Sequence, residues 1–140
     1  MSIFKLTPDV SVAPQIEAED LETIKAMGFR SIINNRPDQE SAQQPGNDVI
    51  ADKAAALGLD YRFIPVVSGS FNDEDVAQFR KALDEMEGPV LAFCRSGTRS
   101  SVMWALANAG RMPAREIIAA AGNAGFDLSA LQPRLERDET

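Results

Sequence analysis

The sequence predicts an α/β fold, a mostly parallel central sheet with helices on both faces, in the order of a doubly covered sheet. Three observations carry that expectation. Short runs of strand-forming residues alternate with longer segments of helical spacing along most of the 140 residues, and such alternation lays strands side by side with helices packed against them. The helical segments end at glycines, Gly28, Gly58, Gly88 and Gly110, as helices whose last turn needs a left-handed cap do. The run Val90-Leu91-Ala92-Phe93 is apolar at every position, which is the pattern of a buried strand.

Taken in order, Ile3 to Leu6 and Val10 to Val12 read as short strands, with Thr7-Pro8-Asp9 turning between them. Glu19 to Met27 carries Leu21, Ile24, Ala26 and Met27 at helical spacing. Phe29 to Asn34 is a strand, broken by Asn35-Arg36-Pro37-Asp38, and Gln39 to Asn47 is a polar surface loop without periodicity. Asp48 to Leu57 is a helix and Tyr61 to Val67 a strand ending in Ser68-Gly69-Ser70. Asn72 is an N-cap, with Asp73, Glu74 and Asp75 complementing the dipole of the first turn and Val76, Phe79, Leu83 and Met86 forming the buried stripe. Strand Val90 to Phe93 comes next, then a loop and a helix to about Ala109 in which Met103, Trp104 and Leu106 face the core. Pro113 opens a further helix to Ala121, Leu128 to Glu136 is a last short one, and the tail Arg137 to Thr140 is expected to fray. The whole of 1–140 is read as a single catalytic domain, with neither repeat nor linker.

Composition narrows the chemistry. Hydrophobic residues make up 44% and charged residues 25%, an ordinary globular balance. The net charge of −7 argues against nucleic acid or an anionic membrane as partner. The sequence has no apolar run of membrane-spanning length and no secretory leader, and its one cysteine cannot close an intrachain disulfide, so a reducing cytoplasm is the expected location. Histidine is absent, which removes Ser-His-Asp and Cys-His catalysis and any histidine-based metal centre; no metal and no cofactor are expected.

The chemistry concentrates in Cys94-Arg95-Ser96-Gly97-Thr98-Arg99-Ser100, between the apolar strand and the next helix. A strand, a tight loop and a helix N-terminus in immediate succession direct backbone N–H groups and the positive end of a helix dipole at one point. A thiol there, beside two guanidinium groups, is favoured in its ionised, nucleophilic form. In a parallel sheet the loops after Asn34, after Val67 and after Phe93 leave from the same carboxyl edge and should meet over one pocket.

The loop matches C-x-x-G-x-R-S and resembles the cysteine loop of the protein-tyrosine and dual-specificity phosphatases and of the rhodanese-type sulfurtransferases. Lys5-Leu6-Thr7-Pro8, Gly28 to Ile33 with Asn35-Arg36-Pro37-Asp38, and Ile64 to Gly69 widen the likeness: residues 3–110 are similar to the phosphatase-like domain of beta-lactamase-hydrolase-like proteins. The resemblance implies a dual-specificity-phosphatase topology. It makes Cys94 the nucleophile, gives Arg99 and the amides of Arg95, Ser96, Gly97 and Thr98 the substrate anion, and places Ser100 where a hydroxyl stabilises the departing sulfur. Asn35, Arg36, Asp38 and Ser68 fall at the rim of the implied pocket.

Three departures from the phosphatase pattern bear on the reaction. Cys94 and Arg99 enclose one residue fewer than that pattern has, Phe93 stands where a histidine usually precedes the cysteine, and Ser68 stands where the family supplies an aspartic acid. A loop this short is similar to that of sulfurtransferases, whose leaving groups depart without strong protonation. Sulfur transfer through a Cys94 persulfide is therefore the first reading, with a small sulfane-sulfur anion as substrate. The alternative is hydrolysis of phosphotyrosine-like or aryl phosphate esters through a phosphocysteine, with Asp38 as the candidate acid. An anion-binding module without turnover is a third.

Overall fold

The computed structural model describes residues 1–137. In chain order the elements are β1 (Phe4–Thr7), β2 (Val10–Ala13), α1 (Asp20–Ala26), β3 (Ser31–Asn34), α2 (Asn47–Ala56), β4 (Asp60–Phe63), α3 (Asp73–Glu85), β5 (Val90–Phe93), α4 (Thr98–Ala107), α5 (Ala114–Asn123), a 3-10 turn at Ser129–Leu131 and α6 (Gln132–Arg137). The expected last helix is thus a 3-10 turn running into α6, and of the tail only Arg137 is described, inside α6; residues 138–140 lie outside the described residues.

The strands form one sheet in the order β1-β2-β5-β3-β4, with β1 antiparallel to β2 and the other neighbours parallel. The parallel registers bring Ala13, Phe93, Asn34 and Phe63 level with one another. Four strands therefore end on one line, and the chain leaves all of them at the same edge. Strand periodicity sorts the core into two layers. Val90 and Ala92 of β5, with Val12 and Ile33, face a cluster containing Val76, Phe79, Trp104, Ile117 and Leu135 from α3, α4, α5 and α6. Leu91 and Phe93, with Ile32, face Leu21 and Ile24 of α1 and Ile50 and Ala54 of α2. A strand covered on both faces has to be apolar at every position, which is why β5 reads as it does.

Local signals hold where they are strong. Asn72 caps α3, its Oδ1 accepting the Asp75 N–H at 2.8 Å. Val76, Phe79 and Met86 are buried and Leu83 is partly so. Met103, Trp104 and Leu106 lie in the core, and α4 is buried from Arg99 through Ala107. The strand expected over Tyr61 to Val67 stops being regular at Phe63, because Pro65 has no N–H to give the ladder. The chain nevertheless stays alongside β3: the N–H of Ile64 reaches Asn34 O and that of Val66 reaches Asn35 O, both at 2.9 Å. This continuation carries the segment after β4 to the edge where the cysteine lies.

Candidate active site

Cys94 is the first residue after β5, and its loop is sewn to the chain beyond β2. Its N–H bonds Ala13 O at 3.3 Å, and the N–H of Gln15 bonds Arg95 O at 3.3 Å. The loop then turns back on the sulfur: the Gly97 N–H donates to Cys94 Sγ at 3.1 Å. Gly97 makes this turn at φ +91°, in the left-handed region. A Cβ there would stand 3.1 Å from Phe126 Cζ and 3.6 Å from the Ala13 carbonyl carbon, so glycine is required twice over. Thr98 opens α4 directly, aiming the positive helix end into the loop. Cys94 and Gly97 are buried, whereas Arg95, Ser96 and Thr98 are exposed on the rim. Ser96 Oγ donates to Thr98 Oγ1 at 3.1 Å. The sulfur therefore lies at the floor of the loop with one amide directed at it.

Arg99 is almost wholly buried and is held from two other loops. Its NH1 donates to Glu40 Oε2 at 2.8 Å and to Val66 O at 2.9 Å, and its NH2 donates to Glu40 Oε1 at 2.8 Å. Glu40 also accepts from Arg36 Nε at 3.0 Å, and Arg36 NH1 donates to Gln15 Oε1 at 3.0 Å. Arg36 and Glu40 after β3, Val66 after β4 and Arg99 after β5 meet on these side chains, while Val67 to Ser70, also expected over the site, makes none of these bonds. The hydrogen bonds from Arg99, aided by those from Arg36, hold the Glu40 carboxyl down at about 2 against the opposing effect of burial. Arg99 is raised in turn, by its bond to Glu40 first and with a smaller contribution from the Cys94 sulfur. A guanidinium has five N–H groups. Both on NH1 and one on NH2 are engaged here with Glu40 and Val66 O, so that Nε–H and the second NH2 hydrogen are what Arg99 has left to share between the Cys94 sulfur and a bound anion.

The remaining expected residues divide. Ser100 is fully buried, and its Oγ donates to Asn35 Oδ1 at 2.9 Å. Asn35, expected at the rim, is instead fully buried: its N–H bonds Phe93 O at 2.8 Å and its Nδ2 bonds Ile64 O at 2.9 Å, so it extends the sheet by one residue beneath the loop. Arg36 lies under the rim at 5% exposure, tied to Glu40 and Gln15. Asp38 is exposed but spends Oδ1 on the N–H of Asn47 at 2.8 Å, at the start of α2. It is a turn-and-cap residue, as residues after proline often are. Ser68 is exposed in the turn closed by Ser70 N–H to Val67 O at 3.0 Å.

Two participants escape sequence reasoning. Glu40 lies in the aperiodic polar stretch; it is the one charge there and pairs locally with Arg36, but its bond to Arg99, far along the chain, has no local signal. Tyr61, expected only as a strand residue, donates its hydroxyl to Asn47 Oδ1 and accepts from Asn34 Nδ2 at 3.1 Å. Burial pushes its hydroxyl up to about 12, so it stays a neutral brace between the end of β3 and the start of α2.

Among the described residues no three or more metal-ligating side chains cluster, and no helix is long and apolar enough to cross a membrane.

Comparison with known proteins places this arrangement. A sequence model of the family described as beta-lactamase hydrolase-like protein, phosphatase-like domain, matches residues 2–111. A beta-lactamase hydrolase-like protein of Agrobacterium fabrum (strain C58) is 38% identical over 139 residues, covering 98% of this chain and 32% of the relative. The chain thus spans about a third of the length of the curated relatives it matches. A crystal structure from Neisseria meningitidis Z2491, described as that of a candidate phosphatase, is 36% identical, with 99% of each chain covered and a TM-score of 0.85. Tk-PTP in its active form is 15% identical with a TM-score of 0.75, covering 99% of this chain and 95% of its own, a likeness of fold alone.

Proposed function

This chain belongs to the phosphatase-like domains of beta-lactamase hydrolase-like proteins, and from that membership and the geometry of the cysteine loop we propose that it hydrolyses phosphate monoesters through a phosphocysteine at Cys94. The reading takes residues 1–140 as one catalytic domain and a phosphorylated compound, in the first instance an aryl phosphate, as substrate. The observation that carries it is Arg99. Clamped by Glu40 and by Val66 O, it is held beside the Cys94 sulfur with its Nε–H and one NH2 hydrogen not committed to that clamp, the edge that two oxygens of a tetrahedral anion over the sulfur would take.

In this mechanism the phosphoryl oxygens lie in the loop formed by Arg95 to Arg99, held by the edge of Arg99 beside the sulfur and by the positive end of α4. The ionised sulfur, stabilised by the Gly97 N–H, attacks phosphorus in line. An S–P bond forms, the P–O bond to the leaving group breaks, and that oxygen takes the electron pair. Water then attacks phosphorus, the sulfur leaves with its electrons, and phosphate departs. The fixed guanidinium and the amides oppose charge that grows on the equatorial oxygens, which is where preorganised donors contribute most. Ser100, as the resemblance implies, would assist sulfur as the leaving group by turning from Asn35.

One observation favours the sulfur-transfer reading, the short loop with its single amide on the sulfur. The comparisons run with phosphatases and lend it nothing specific. A paired assay separates the two: release of p-nitrophenol from p-nitrophenyl phosphate, and thiocyanate formation from thiosulfate and cyanide, each for the wild type and Cys94→Ser. The expected result is phosphate hydrolysis that vanishes in the variant. Cys94-dependent thiocyanate formation without phosphate hydrolysis would overturn the proposal in favour of sulfur transfer.

A further inference from the structure

The Cys94 sulfur is met by the Gly97 N–H at 3.1 Å, and its charge and that of Arg99 favour each other. Arg99 is held from outside the loop, by Glu40 and Val66 O. Gly97 needs a holder of its own, because a glycine at φ +91° has no side chain to restrict its backbone and is the freest link of the turn. Its carbonyl is fixed by α4, where Ser101 gives it both the backbone N–H at 3.0 Å and the hydroxyl at 2.9 Å. Ser96 and Thr98, on either side, are exposed and tie their hydroxyls to each other. The space on one face of its Cα is filled by the ring of Phe126. A Cβ added there would stand 3.1 Å from Cζ and 3.4 Å from Cε1 of that ring, and 3.6 Å from the carbonyl carbon of Ala13.

The ring is itself anchored. Phe126 follows α5, and its N–H reaches back to Ala121 O at 2.9 Å. It meets Phe4 of β1 edge to face, with centroids 5.5 Å apart and planes at 87°. Leu128, two residues on, is buried in the same helical layer. Phe126 is thus seated by a helix, a strand and the core, with one edge of its ring against the cysteine loop.

Resting on the reading of Cys94 as the nucleophile, we propose that Phe126 is a positioning residue of the reaction: its ring fixes Gly97 and thereby the amide that meets the sulfur. Without the ring, the face of the Gly97 Cα opens and the most mobile link of the loop gains freedom. The amide then spends less time in line with the sulfur, and a hydrogen bond weakens steeply once its angle and length are lost. A donor to the charged form of a thiol favours that form. A ring that gives the sulfur no hydrogen bond therefore governs how readily the sulfur ionises.

The test titrates the thiolate by its ultraviolet absorbance in the wild type, Phe126→Ala, Phe126→Leu and Ile50→Val, each checked for a thermal unfolding transition, with Cys94→Ser as the blank. Cys94 is the only cysteine, and burial pushes the single tyrosine, Tyr61, up to about 12, so the absorbance reports one group. Expected is a midpoint moved upward by about 0.5–1 unit in Phe126→Ala, the direction that follows from losing a hydrogen bond to the charged form. Phe126→Leu fills part of the space and should move it less. Ile50→Val, in α2 on the other face of the sheet, costs stability as well but should leave the midpoint in place. In p-nitrophenyl phosphate hydrolysis the acid limb of kcat/KM should move with the midpoint, a loss of about 3–10-fold along that limb. Coincident midpoints for Phe126→Ala and the wild type, or an equal shift in Ile50→Val, would overturn the inference; should Phe126→Ala not fold, an unmoved midpoint in Phe126→Leu does so. The expected shift without any Cys94-dependent hydrolysis would sustain it while overturning the phosphatase reading.

Discussion

Replacing Glu40 by glutamine removes the clamp on Arg99 while keeping the shape of the side chain. The carboxyl is held at about 2 where it would ordinarily titrate near 4.5. At about 1.4 kcal/mol per unit that gap corresponds to roughly 3 kcal/mol. The Glu40 side chain is 28% exposed while its partners are nearly buried, so solvent screening reduces the figure to about 2 kcal/mol. Glutamine keeps one acceptor for Arg99 but leaves the Arg36 and Arg99 guanidinium groups facing each other without a neutralising charge. The expected loss is therefore about 2 kcal/mol, or about 6–8 °C in Tm for a chain of this size. The folded value lies below the unfolded one, so the contribution is complete above about pH 5.5 and disappears as pH falls towards 2. Thermal or urea unfolding of wild type and Glu40→Gln should differ most near neutrality and converge on acidification. In the p-nitrophenyl phosphate assay the loosened Arg99 should lower kcat/KM by about 10–100-fold, the scale of a misplaced positioning group. Adding Glu40→Gln to Arg99→Ala should cost far less than it does alone. A variant within twofold of the wild type in kcat/KM, or a stability difference that does not change between about pH 6 and about pH 3, would refute the reasoning.

Other substitutions test neighbouring parts of the site. Gly97→Ala puts a Cβ at φ +91° and 3.1 Å from the Phe126 ring; a loss of about 2–4 kcal/mol in urea unfolding is expected, partly recovered by adding Phe126→Leu. Asn35→Ala strands the Ile64 carbonyl and the Ser100 hydroxyl and should destabilise by about 2–4 kcal/mol, with Ser100→Ala adding less in that background than it does alone. Asn72→Ala removes the cap of α3 and should lower stability by about 1 kcal/mol without changing kcat/KM for p-nitrophenyl phosphate; a kinetic effect would mean that α3 is coupled to the loop.

What the sequence reveals is what local rules can encode. An apolar strand, a cysteine and a glycine on a fixed spacing, and the helix behind them are readable because each is determined by near neighbours and by the period of its own element. Asn72 and Gly97 are legible for the same reason, since a cap and a left-handed turn are local events. Glu40 is legible only in part: it is the one charged residue of Gln39 to Asn47 and stands four residues after its partner Arg36, but nothing local announces Arg99. Asn35 is misplaced for a related reason: residues after a strand are ordinarily read as loop, yet here the ladder continues through Phe93 O and Ile64 O and draws the side chain inward. Asp38, read as the candidate acid at the rim, instead has Oδ1 in a local bond to the Asn47 N–H at the start of α2, the role a residue after proline often takes. Local pattern does not decide between sulfur and phosphate chemistry, because the length of the loop points to the one while its residues and the rest of the likeness are shared with the other.

The ring of Phe126 belongs to a stretch that the family's matched region, residues 2–111, does not include. It nevertheless underlies Gly97 and stacks edge-on against Phe4 at 5.5 Å, while Arg134 reaches Phe71 O at 2.7 Å. A fragment trimmed to the matched boundary would keep every residue of the proposed mechanism and lose the floor on which the cysteine loop stands. Any attempt to transplant this cysteine-loop unit into another protein should carry its C-terminal helices along.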